Sequence, residues 1–152
     1  MKKVILFGIL IFGVQNYGQN SEQKIPFANI RLSMLIFPPI TPLLTAEIRT
    51  FDKLTVQFET NFVNTHGVNL KYFLKERMDK DFLFIGTAFV ESDFLRKDLK
   101  TTFLPYVGYG YAYRFGKNRD WIFDNRIGIG QTLNADKNTI IPVIKTGFGR
   151  TF

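Results

Sequence analysis

Apolar and polar residues alternate along most of this chain with a period of two. Leu54, Val56, Phe58 and Phe62 interleave with Thr55, Gln57, Glu59 and Asn61, while Val68, Leu70, Tyr72 and Leu74 interleave with Asn69, Lys71 and Lys75. Sustained alternation marks a strand with one apolar face; no helix face reproduces it. The pattern predicts eight strands, over residues 26–37, 43–51, 54–63, 67–76, 82–91, 103–115, 121–133 and 140–152. The segments between them carry turn chemistry: Pro38 to Pro42, Asp52-Lys53, Asn64 to His66, Arg77 to Asp81, Ser92 to Thr102, Gly116 to Asp120 and Asn134 to Thr139. An even count of antiparallel strands suits a closed up-and-down barrel with both ends on one side. The longest connection, Ser92 to Thr102, then lies on the far side; with Phe94, Leu95 and Leu99 among charges, it can form a helical turn or extend the rim.

Alternation does not say which face is wet. One parity is apolar in nearly every strand: Ile30, Leu32, Met34 and Ile36; Leu44, Ala46 and Ile48; Val107, Tyr109, Tyr111 and Tyr113; Ile127 and Ile129; Ile144 and Phe148. Asn125 is the main interruption. Aromatics gather at strand ends, with Phe27, Phe51, Tyr72, Tyr113, Phe115, Trp121, Phe123 and Phe152 at one edge and Phe37, Phe62, Phe89 and Phe103 at the other. Two such girdles are what two bilayer interfaces select. The opposite parity mixes both signs of charge, Arg31, Glu47, Arg49, Glu59, Lys71, Arg114, Asp124, Arg126 and Lys145, with the glycine pairs Gly108/Gly110, Gly128/Gly130 and Gly147/Gly149. A narrow interior filled by paired ions has this composition. The fold expected is therefore all-β, an eight-stranded antiparallel transmembrane β-barrel. The fifth strand, Phe82 to Val90, is apolar on both faces, and Gly86 and Ala88 are placed inward.

Composition adds an address. Met1-Lys2-Lys3 followed by the apolar run Val4 to Val14 has the form of a secretory signal and is too short to span a bilayer as a helix. Cleavage is expected after Gly18, leaving residues 19–152 as a single β-barrel domain. The whole chain carries a formal charge of +7, and loss of Lys2 and Lys3 leaves it basic. An exported chain with no long Lys/Arg run is not expected to bind nucleic acid. With no cysteine at all, disulfides, thiolate metal sites and a lipid-modified N-terminal cysteine are excluded.

The chain ends in Gly147-Phe148-Gly149-Arg150-Thr151-Phe152, and Tyr109 to Phe115 read Tyr-Gly-Tyr-Ala-Tyr-Arg-Phe. With the signal segment, these features resemble the small eight-stranded outer-membrane β-barrels of Gram-negative bacteria, in the style of OmpA or OmpX membrane domains. The resemblance implies an outer-membrane location, contact with outer-membrane lipid, and insertion by the barrel-assembly machinery. It also implies an assembly signal in the last strand, carried by Phe148 and Phe152. Members of that family usually have an aromatic two residues before the last, where this chain has Arg150. No specific activity is implied.

Candidate chemistry is sparse. The Gly-x-Gly pairs lack a third glycine and lie inside strands, so they read as room for large inward side chains rather than as phosphate loops. His66, the only histidine, falls in an expected external turn, and nothing in the spacing brings it to Ser92 or Glu91 as acyl-transfer chemistry needs. No catalytic, metal-binding or cofactor-binding residue is assigned and no cofactor is expected. The reading is a plugged outer-membrane barrel with a structural, adhesive or partner-binding role through its rim and loops. A lipid-modifying barrel enzyme is the alternative, and a soluble lipocalin-like binder of apolar ligands comes third.

Overall fold

The computed structural model describes residues 26–36, 40–75, 78–91, 101–133 and 138–152. The expected signal segment and cleavage site fall outside them, as do Phe37, Ser92, Phe94, Leu95 and Leu99. The chain forms β1 (Ala28–Leu35), β2 (Thr41–Arg49), β3 (Leu54–Thr60), β4 (Thr65–Phe73), β5 (Lys80–Glu91), β6 (Thr101–Phe115), β7 (Trp121–Thr132) and β8 (Thr139–Thr151). Each strand pairs antiparallel with the next, and β8 pairs with β1, closing the sheet into a barrel. The all-β, eight-stranded, up-and-down fold class read from the alternation is the fold observed.

Several boundaries move into segments that composition marks as turns. Pairing continues to Thr41 and Pro42 opposite Leu35 and Met34. Pro42 is exposed, which suits a residue with no N–H to bury. His66 is not in a turn: it lies in β4, opposite Thr60 and Phe89. The cause is a tight asparagine turn, in which Asn61 Oδ1 accepts hydrogen bonds from the backbone N–H of Val63, Asn64 and Thr65. This brings the strands together early enough for Thr65 and His66 to pair. Lys80 and Asp81 likewise belong to β5, where Asp81 O accepts from Leu74 N at 2.9 Å.

Closure fixes two faces of opposite character. Leu32, Ile85, Val107, Ile127 and Ile129 point out and are 51–62% exposed, whereas the charged parity points into the lumen. Phe82, Phe84, Gly86 and Ala88 face inward on β5, so that strand is apolar on both sides because its inner residues join the apolar part of the core. Aromatics lie at both ends of the outer wall. Trp121 and Phe148 stack at 5.2 Å near one end, and Phe89 and Phe103 meet at 5.1 Å near the other. Asn125 interrupts the outer apolar band, between Tyr111 and Thr146 on the neighbouring strands.

The lumen is filled in layers. Leu35, Leu43, Leu104, Ile141 and Val143 are buried near the end bearing the β1–β2, β3–β4, β5–β6 and β7–β8 connections. Phe73, Met78, Phe82, Ala112 and Ile122 close the other end. Met78 reaches that position from the β4–β5 turn; it and Lys80, the first residue of β5, take left-handed φ angles of 56° and 62°. Such a backbone costs about 1–2 kcal/mol per residue. Full burial of Met78 returns about 1.5–3 kcal/mol, which offsets much of that cost.

Candidate functional site: a charged lumen

Between the apolar layers, inward residues of six strands form one ionic network. Arg31 on β1 donates through Nη1 to Asp124 Oδ2 on β7 at 2.7 Å, and through Nη2 to Glu47 Oε2 on β2. Lys71 on β4 reaches the same two acids, with Nζ donating to Glu47 Oε2 at 3.0 Å and to Asp124 Oδ2 at 2.8 Å. Each cation thus bridges both carboxylates across the barrel. Thr55 Oγ1 donates to Glu47 Oε1 at 2.5 Å and Asn29 Nδ2 to Glu47 Oε2 at 3.2 Å.

A second group centres on Glu59 of β3. Arg126 Nη1 donates to its Oε1 at 2.7 Å, and Lys145 Nζ donates to its Oε2. Lys145 also donates to Tyr106 Oη at 2.8 Å. Gln57 joins the two groups, accepting from Arg31 Nη2 at 3.1 Å and donating to Glu59. Arg126 Nη2 adds a second link, 3.6 Å from Asp124 Oδ1. Two ammonium groups also sit over aromatic faces, Lys71 at 4.6 Å from the Phe82 centroid and Lys145 at 4.3 Å from that of Tyr106.

Arg31, Glu47, Glu59, Lys71, Asp124, Arg126 and Lys145 are therefore brought together, with side chains at most 2% exposed. Ions so buried are tolerable only when paired and hydrogen-bonded. The two remaining charged residues of that parity lie elsewhere. Arg49 is half-buried, and its Nη1 has no hydrogen-bond partner. Arg114 stands near the Met78 end, where its Nε donates to Arg119 O at 3.2 Å. Phe148 lies on the outer wall, stacked on Trp121. Phe152 N donates to Ala28 O at 2.8 Å and its O accepts from Phe27 N at 2.8 Å, so both residues lie at the β8–β1 seam.

Glycines make room for the network. A β-carbon at Gly149 would lie 2.6 Å from Arg31 Cγ, and one at Gly110 only 2.3 Å from Phe82 Cζ. Asn29, Thr55, Gln57 and Tyr106 belong to the site although they carry no charge. Their signal was present, because all four share the inward parity and inward polar groups in a closed ring must find partners. Asp79 gave no such signal. It sits in the β4–β5 turn, where Oδ1 accepts from Lys80 N and Arg114 N and Oδ2 pairs with Arg119, tying that turn to β6–β7.

Chemically, the lumen is a filled electrostatic core. Both oxygens of Glu59 receive cationic donors, Glu47 pairs with two cations, and Asp124 pairs with the same two and has Arg126 as a third at 3.6 Å. His66 faces outward, its Nδ1 2.9 Å from Thr60 Oγ1. Among the described residues no group of His, Asp and Glu is arranged to hold a metal ion. Comparison with protein-family models, curated proteins and solved structures gives no match for this chain.

Proposed function

We propose that the protein is an integral outer-membrane β-barrel, exported through its N-terminal segment and inserted by the barrel-assembly machinery. In that reading it is a small outer-membrane barrel of the OmpA or OmpX type. Its lumen is plugged by its own side chains, and its role is structural, adhesive or partner-binding through the rim and loops. The observation that carries this reading is the inverted polarity of the closed ring. In water, a barrel with Leu32, Ile85, Val107, Ile127 and Ile129 facing solvent and seven ions inside would lose the hydrophobic driving force on one face and bear desolvation on the other. In hydrocarbon, the same outer wall is the favoured surface, and the closed sheet leaves no backbone group unpaired at an edge.

Aromatics at both ends of the outer wall support the same placement, since their rings favour the headgroup level. A soluble barrel that binds apolar ligands needs the opposite arrangement, with the apolar parity around an internal cavity. Membrane fractionation combined with a heat-modifiability gel tests the proposal. The expected result is recovery in the outer-membrane fraction with a mobility that changes on boiling. Recovery in a soluble fraction would rule the reading out.

A further inference from the structure

One end of the barrel couples aromatics to basic side chains, of which Lys53 is half-buried and Lys75, Lys117 and Arg150 are exposed. At the end bearing the β2–β3, β4–β5 and β6–β7 turns, Lys53 follows Phe51, Lys75 follows Tyr72, and Lys117 follows Phe115. Arg150 is the cross-strand partner of Trp121. The side chains of Lys75 and Arg150 are 72% and 59% exposed. Of the acids at this end, Asp79 pairs with Arg119, Asp81 with the Tyr109 hydroxyl and, at 3.8 Å, with Lys75, and Asp120 with Arg150 at 3.5 Å, while Asp52 precedes Lys53. The two contacts to collar cations are long and solvent-exposed, so they leave those cations open to a stronger anion. Lys53 Nζ donates to Leu74 O at 3.1 Å, which positions its charge without neutralising it.

The geometry points to a phosphate-binding collar for anionic phospholipid, formed by Lys53, Lys75, Lys117 and Arg150 around the aromatic edge of the barrel. The acyl chains lie along the apolar wall, and the phosphate sits among the ammonium and guanidinium groups. Aromatic rings fix the depth at which the edge meets the headgroups, and long basic side chains extend from there towards the phosphates. Charge complementarity selects the anionic lipid over a zwitterionic one, since each Lys or Arg close to an anionic surface favours association about fivefold. The inference rests on the membrane placement proposed above.

Trp121 is the only tryptophan of the chain and lies opposite Arg150, so its emission reports on the collar. The folded protein is reconstituted into phosphatidylcholine vesicles containing an equal small fraction of brominated phosphatidylglycerol or brominated phosphatidylcholine. Quenching should indicate at least about fivefold enrichment of phosphatidylglycerol beside Trp121. The excess should vanish at about 1 M salt, where screening is nearly complete, and in the K53Q/K75Q/K117Q/R150Q variant. If that variant does not fold, the salt titration of the unaltered protein decides alone. Millimolar inorganic phosphate should leave the excess intact, and its loss would reassign the collar to free phosphate. Equal quenching by the two lipids would overturn the collar. No quenching by either would overturn the membrane placement itself.

Discussion

Individual charges in this barrel differ greatly in what they hold. Glu59 is the shared partner of Arg126 and Lys145, and all three side chains are buried. Replacing it with Ala leaves buried Lys145 without an acid and Arg126 with only the 3.6 Å contact to Asp124. We expect Glu59→Ala to destabilise the folded barrel by about 3–5 kcal/mol. Asp120→Ala removes only an exposed contact, 3.5 Å from Arg150, and should cost at most about 1 kcal/mol. Urea unfolding of the refolded proteins compares them, and equal losses would mean that the lumen network contributes nothing special. On the outer wall, Leu70 is 44% exposed. If it faces hydrocarbon, Leu70→Arg should cost about 2–4 kcal/mol in a bilayer. A value near zero under the same conditions would place Leu70 in water.

Strands are where the sequence spoke most clearly. Period-two alternation located all eight, because a side-chain repeat of two permits only two faces and each face has one character. The seven buried ions could be gathered from the same parity without knowing which pairs would form. Pairing itself was not legible: Arg31 meets Asp124 only because the ring closes, and nothing local in β1 refers to β7. The β4–β5 turn was equally silent, since Met78 and Asp79 in a short polar connection look like solvent-exposed loop residues. Only a left-handed backbone carries Met78 into the lumen. The fit between neighbouring strands gives a direct test. A β-carbon at Gly110 would meet Phe82 Cζ at 2.3 Å and Asn125 O at 2.8 Å. Gly110→Ala should therefore destabilise by about 1–3 kcal/mol. Adding Phe82→Leu should recover part of that loss, with a coupling of about 0.5–3 kcal/mol in a double-mutant cycle. Strict additivity would show that the two strands do not share this space.

As a whole, the molecule is a sealed cylinder: apolar side chains close both ends of the lumen, and crossed ion pairs fill its middle. Planar-bilayer recording of purified protein should show no stable large-conductance state, since eight strands enclose only enough room for their own side chains. A sustained porin-like current would contradict the filled lumen. The seam between β1 and β8 has a different implication. Phe27 N lies 2.8 Å from Phe152 O, so the polypeptide leaves the ring almost where it enters. A circularly permuted chain, with a short linker from residue 152 to residue 26 and new termini in the 116–120 turn, traces the same ring in a different order. It should refold to the same heat-modifiable form, with β7 and β6 as its first and last strands. The cylinder is then indifferent to where its thread is cut, and sequence order is a matter of assembly history rather than of shape.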